Sequence, residues 1–191
     1  MILREGYKEM NGPLFLLRAI DFAARKHKDQ RRKDEEASPY INHPVYVALL
    51  LAEVGKITDP EILAGAILHD TIEDTQTTPE ELEAKFGPRV RKLVEEVSDD
   101  KSRTREVRKQ LQIDHAQHLS PDAALIKLAD KIANVVDITH SPPKNWPLKR
   151  KTEYLNWAEQ VVSNCPKVND ALAEYFSAVL SEGRSVLRTE N

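Results

Sequence analysis

The chain has 191 residues and a net charge of −3, enough for one domain with a substantial core and without a global basic field for nucleic acid or an anionic membrane. A single cysteine, Cys165, excludes an internal disulfide or a cysteine-based metal cluster. There is no apolar run of membrane-span length and no basic-then-apolar N-terminal leader, so a cytoplasmic enzyme is the simplest class within these bounds.

Residues 1–12 show no period and contain a turn signal, Asn11-Gly12. From Leu14 to His27 the spacing predicts an amphipathic helix, with Pro13 in its first turn and Leu14, Leu17, Ala19, Ile20, Ala23 and Ala24 on the apolar side. A charged stretch follows, in which Lys28, Arg31, Arg32 and Lys33 precede Asp34, Glu35 and Glu36. Such runs are usually solvated loops, and this one could equally form an anion-binding edge.

His43 stands between Pro39 and Pro44, so it sits on a stiff turn that opens a helix. That helix is expected from Val45 to Glu53, with Gly55 ending it. Thr58-Asp59-Pro60 and Thr77-Thr78-Pro79 are helix starts: a capping side chain, then proline. Gly87-Pro88 breaks the second helix, and Val90, Leu93, Val94 and Val97 mark a further one.

Between Ser98 and Gln112 charges of both signs crowd a stretch poor in apolar residues, which predicts an exposed helix or mobile loop, while its local excess of Arg and Lys could face an anionic ligand. Ser120-Pro121-Asp122 starts a strongly apolar helix reaching Ile138. Two more helices are expected, about Leu148–Ser163 with Trp157, Val161 and Val162 inside, and about Lys167–Ser181 with Leu172, Tyr175, Phe176, Val179 and Leu180 inside. The expectation is a single all-α domain over 1–191, with its core over about 13–183 and a flexible polar tail at 184–191. Nothing in the pattern suggests a hairpin or a sheet.

Within this frame the stretch Leu68-His69-Asp70-Thr71-Ile72-Glu73-Asp74 is unusual, because four ionisable groups follow a buried-looking apolar run. On a helix Asp70, Glu73 and Asp74 fall within about 100° of arc, and His69 widens it to about 140°. The stretch alone fits either a metal site with catalytic acids beside it or a solvated helix end. Asp130, Asn134 and Asp137 form a second polar stripe, within about 60°, on a helix that is otherwise apolar. Buried polar groups need partners, and a bound cation would partner Asp130. A mixed imidazole and carboxylate set accepts Mn²⁺, Fe²⁺ or Zn²⁺.

Five motifs occur in order: Arg32-Lys33, Pro39-Tyr40-Ile41-Asn42-His43-Pro44, Leu68-His69-Asp70-Thr71-Ile72-Glu73-Asp74-Thr75, Phe86-Gly87 and Lys127-Leu128-Ala129-Asp130-Lys131. With them the chain resembles the HD-type metal-dependent phosphohydrolases. Within these it is similar to the hydrolase domain of the RelA/SpoT alarmone enzymes, most of all the stand-alone metazoan-SpoT-homologue (small alarmone hydrolase) type. The resemblance implies an all-α fold, one Mn²⁺, and removal of the 3′-pyrophosphate from ppGpp or pppGpp to give GDP or GTP and pyrophosphate.

By position it implies His43, His69, Asp70 and Asp130 as metal ligands and Glu73 with Asp74 as the pair that activates water. Arg32, Lys33 and Asn134 match nucleotide-side contacts, and Arg105, Lys109, Arg150 and Tyr154 match outer positions facing phosphates or base. Relatives commonly carry Asn-Leu-Arg or Asn-Met-Arg where this chain has Asn134-Val135-Val136, so an arginine that could support the site or its substrate is absent. The partner implied is a small-molecule nucleotide. Two other readings keep the same residues: a phosphohydrolase for another nucleotide such as NADPH (a 2′-phosphatase), or a catalytically silent nucleotide sensor.

Overall fold

The computed structural model describes residues 12–189. Residues 1–11, which include Asn11 of the expected turn, and residues 190–191 lie outside the described part. Among the described residues ten helices run in order: α1 (Gly12–Lys26), α2 (Asn42–Glu53), α3 (Pro60–Leu68), α4 (Thr71–Asp74), α5 (Pro79–Phe86), α6 (Pro88–Val97), α7 (Arg105–Ala116), α8 (Pro121–His140), α9 (Leu148–Asn164) and α10 (Asp170–Thr189). Among the described residues the only β pairing is an isolated bridge between Arg31 and Pro39.

The starts follow local chemistry. Asp59 accepts a hydrogen bond from Glu61 N–H at 2.9 Å, Thr78 from Glu81 N–H at 3.2 Å, and Ser120 from Ala123 N–H at 3.3 Å. Each satisfies a first-turn N–H that has no partner within the helix. Pro60, Pro79 and Pro121 follow, where the lost N–H costs nothing.

Helix α8 is the axis of the molecule, packing against α2, α6, α9 and α10. Its Ile126, Ala129, Ile132, Ala133 and Val135 are fully buried, as expected of a helix apolar on most sides. Each large aliphatic side chain so buried contributes about 1.5–3 kcal/mol. Helix α3 approaches closely because its apolar residues are small: a Cβ on Gly65 would stand 3.1 Å from Ile126 Cδ1. These two helices carry His69 and Asp130 into the same region.

Several expectations are corrected. Leu14 and Leu17 are exposed, at 40% and 63%, and α1 buries Phe15 alongside the expected Ala19 and Ala23. Tyr175 is likewise exposed rather than inside. Helix α2 begins at Asn42, so His43 lies in its first turn. Gly55 does not end α2 through a left-handed conformation; Lys56 takes that role with φ 55°. Gly55 is required by close packing, since a Cβ there would meet the Leu51 carbonyl at 2.8 Å and Leu172 Cδ1 at 2.9 Å. The stretch expected as a flexible tail from 184 continues α10 to Thr189, because Leu187 is buried in the core.

Candidate metal centre and catalytic cleft

Three ligand-type side chains converge from three helices or their ends. His43 (α2), His69 (after α3) and Asp130 (α8) place one ligand atom each within 4.8 Å of one another, and all three are buried. His43 Nε2 lies 3.1 Å from Asp130 Oδ1, and His69 Nε2 lies 3.6 Å from the same oxygen. Asp70 closes the group, with Oδ2 3.1 Å from His69 Nε2 and 3.9 Å from His43 Nε2. Asp70 reaches this position because α3 stops at Leu68 and a turn at His69–Asp70 precedes α4.

The donor set fits a cation. His69 Nδ1–H donates to the Ala66 carbonyl at 2.8 Å, which orients the ring and turns Nε2 toward two carboxylates. That Nε2 is buried and has no hydrogen-bond partner, the state expected of a metal ligand rather than of a core histidine. Burial opposes a charge on His69, but Asp70 and Asp130 override it and push the imidazole up to about 10. Burial likewise opposes ionisation of Asp130, yet Lys131, His43 and His69 hold it well below the usual carboxylate range. Lys131 Nζ sits 3.0 Å from Asp130 Oδ2. The centre is therefore a buried concentration of negative charge suited to a divalent ion, which would take the place of the His69 Nε2 proton.

Glu73 and Asp74 stand one turn beyond, on α4. Glu73 Oε2 accepts the Asp99 N–H at 3.1 Å, and Arg108 Nη1 donates to Oε1 at 3.2 Å. Burial raises its carboxyl against the Asp99 hydrogen bond, with Asp70, Asp99 and Asp74 adding repulsion, from the ordinary 4.5 to about 7. A carboxylate so tuned can exchange a proton near neutral pH. Asp74 is paired with Lys101 and accepts from Gln30 Nε2 at 3.1 Å.

A cavity of about 130 Å³ surrounds the ligand atoms, and a cleft of about 430 Å³ opens beside it. Tyr40, Glu73 and Asn134 line both, so the two spaces adjoin at these residues. Arg32, Lys33, Asn134 and Tyr154 line the larger cleft. Arg32 pairs with Asp137 and lies over the Tyr40 ring at 5.7 Å, while Asn134 Nδ2 donates to Asp130 Oδ1 at 2.6 Å. Arg105, Lys109 and Arg150 fall in a neighbouring hollow of about 450 Å³. Arg105 and Arg150 stack on Trp146 at 5.9 and 4.2 Å, and Lys109 lies 5.7 Å from the Tyr154 ring. Since Trp146 and Tyr154 line the cleft, these three cations stand against its aromatic wall.

A model of the HD domain family matches residues 19–157. The chain belongs to the HD domain family. It is similar to the guanosine-3′,5′-bis(diphosphate) 3′-pyrophosphohydrolase MESH1 of Homo sapiens, at 52% identity over 159 residues, covering 83% of this chain and 89% of that one. A guanosine-3′,5′-bis(diphosphate) 3′-pyrophosphohydrolase of Aquifex aeolicus is 44% identical over 121 residues, 62% of this chain and 17% of the relative. Among solved structures it is similar to one described as "A metazoan ortholog of SpoT hydrolyzes ppGpp and plays a role in starvation responses". The TM-score is 0.86 at 40% identity, over 90% of this chain and 96% of that one.

In this HD domain several groups at the site were not singled out from the sequence as site residues. Tyr40 donates its hydroxyl to Asp70 Oδ2 at 2.7 Å; Lys101 and Arg108 hold Asp74 and Glu73; Trp146 lines the cleft beside Asp137 of the expected polar stripe. Lys101 and Arg108 belong to the charged stretch at 98–112, whose cationic excess was the available signal. Tyr40 carried none beyond its proline-braced motif. Val136 is half-buried and packs against the core.

Proposed function

We propose that this HD domain is a metal-dependent hydrolase that removes the 3′-pyrophosphate from guanosine 3′,5′-bis(diphosphate) (ppGpp), giving GDP and pyrophosphate, or from pppGpp, giving GTP and pyrophosphate. The observation that carries the reading is the joining of a His, His, Asp, Asp cluster to a cation-lined cleft through Glu73. The 52% identity to the human pyrophosphohydrolase supports the choice of substrate. His43, His69, Asp70 and Asp130 would hold one Mn²⁺; Fe²⁺ or Zn²⁺ suits the same nitrogen and oxygen donors. When bound, the ion supplies charge neutralisation at a phosphoryl oxygen and acidifies water.

The chain's own residues do the rest. Glu73 takes a proton from the attacking water at a carboxylate oxygen, held in place by Asp99 N–H and Arg108. Asp74, beside it, shares that water. Arg32 and Lys33 offset the phosphate charge at one rim of the cleft and Lys101 and Arg108 at the other. Arg105, Lys109 and Arg150 add cationic charge from behind Trp146 and Tyr154, whose rings offer a face to the guanine. Arg32, already over Tyr40, can also stack on a planar base. A chain with one free thiol suits the cytoplasm, and we place it there.

Purified protein with Mn²⁺ is expected to release pyrophosphate from ppGpp, and chelation with EDTA to stop it. Asp130→Asn and His69→Ala are expected to release none while keeping the helical circular dichroism of the parent. Turnover in the metal-stripped alanine variant overturns the reading. So does a nucleotide panel, including NADPH, in which another member is turned over and ppGpp is not.

A further inference from the structure

His27 is a buried histidine outside the metal cluster, 3% exposed, at the end of α1. Its Nδ1 faces Gln30 Oε1, and its Nε2 is buried with no hydrogen-bond partner. Gln30 in turn donates from Nε2 to Asp74 Oδ2 at 3.1 Å. We propose that His27 and Gln30 are positioning residues for hydrolysis: His27, as its Nδ1–H tautomer, fixes the Gln30 amide so that Gln30 presents N–H to Asp74.

The direction follows from what each group can do. A carboxamide has one accepting end and one donating end, and an ionised carboxylate only accepts. With Nδ1–H donating to Gln30 Oε1, the amide's NH₂ must face Asp74. The opposite arrangement would set a carbonyl oxygen against the Asp74 carboxylate. It would also leave the His27 Nε2–H stranded as a buried donor, since no acceptor stands near it. Both penalties fall on the same side, so the three groups are locked in one direction of donation.

The backbone holds the two side chains in register. His27 N–H donates to the Ala23 carbonyl and Gln30 N–H to the His27 carbonyl, both at 2.9 Å, while Tyr40 N–H donates to the Gln30 carbonyl at 3.2 Å. The His27 ring packs on Tyr40 with centroids 4.9 Å apart. Asp74 has another side-chain partner, Lys101, whose side chain is 48% exposed and so screened by solvent. Gln30 is thus the inner support that keeps Asp74 turned toward the cleft it shares with Glu73. His27 acts one step further out.

The activity arm of the test rests on the hydrolase reading above; the spectroscopic arm does not. Asparagine and leucine have nearly the same shape and differ in the N–H donor, so His27→Asn and His27→Leu leave similar space beside Tyr40. With ppGpp and Mn²⁺, His27→Asn stays within about threefold of the parent kcat, while His27→Leu loses roughly 10- to 100-fold with KM unchanged, the range for outer supports of a reactive group. Equal kcat in the two variants, or a loss confined to KM, overturns the proposal. Long-range ¹H–¹⁵N spectra of the unsubstituted protein show His27 as the Nδ1–H tautomer; an Nε2–H tautomer overturns it. If the parent releases no pyrophosphate from ppGpp, the substrate reading fails, and the tautomer alone decides the positioning role.

Discussion

Replacing Glu73 by glutamine converts a raised pKa into a measurable stability. In the metal-free protein the carboxyl is shifted from 4.5 to about 7, chiefly by burial and despite the Asp99 N–H. At pH below the unfolded value the group is neutral in folded and unfolded chains alike, and its neutral form is the one the fold prefers. As pH rises from 4.5 toward 7, the unfolded chain ionises first and the folded chain resists, so that advantage is lost. The interval from 4.5 to about 7, at 1.36 kcal/mol per pH unit, amounts to about 3 kcal/mol. Glutamine does not titrate and keeps the shape. Urea unfolding in EDTA from pH 4 to 9 gives matched stabilities at the acid end. The variant becomes more stable by about 3 kcal/mol near pH 8. Adding Mn²⁺ shrinks the step, because a nearby cation favours the ionised carboxylate and draws the pKa down. A difference that does not change with pH, or a variant that loses ground as pH rises, refutes the burial argument.

Tyr40→Phe removes the hydroxyl that donates to Asp70 Oδ2 at 2.7 Å; Mn²⁺ affinity by calorimetry falls roughly 10- to 100-fold without loss of helix. Gly183→Ala would put a Cβ 2.6 Å from Thr139 Oγ1 and 3.3 Å from Leu155 Cδ1. Denaturant unfolding then shows a loss of about 1–3 kcal/mol from overpacking. Arg32→Lys keeps the charge but gives up the planar group between Asp137, Asn134 and Tyr40. Its KM for ppGpp rises about tenfold, with kcat within about twofold of the parent in steady-state assays.

The sequence by itself determined the helical class and most helix starts, because caps such as Asp59, Thr78 and Ser120 act on N–H groups two or three residues away. It also marked His69 and Asp130, since ionisable residues within apolar runs must find partners. Other features depended on chain segments far apart. Which cations of the 98–112 stretch turn inward is decided by the seating of α7, where Thr104 caps the helix and Trp157 Nε1 donates to the Lys109 carbonyl at 3.0 Å. That seating sends Arg108 to Glu73 and leaves Arg105 and Lys109 behind the aromatic wall. Leu187 is buried beyond the expected end of order, and Leu17 is exposed on a face the helical period would bury. Hydrophobicity states what a side chain prefers, and only the packed neighbours decide whether a surface exists to receive it. The stretch from His69 to Asp74 shows both halves. Its chemistry is local, whereas the break after Leu68 that turns Asp70 toward the imidazoles and Glu73 toward Arg108 belongs to the tertiary structure.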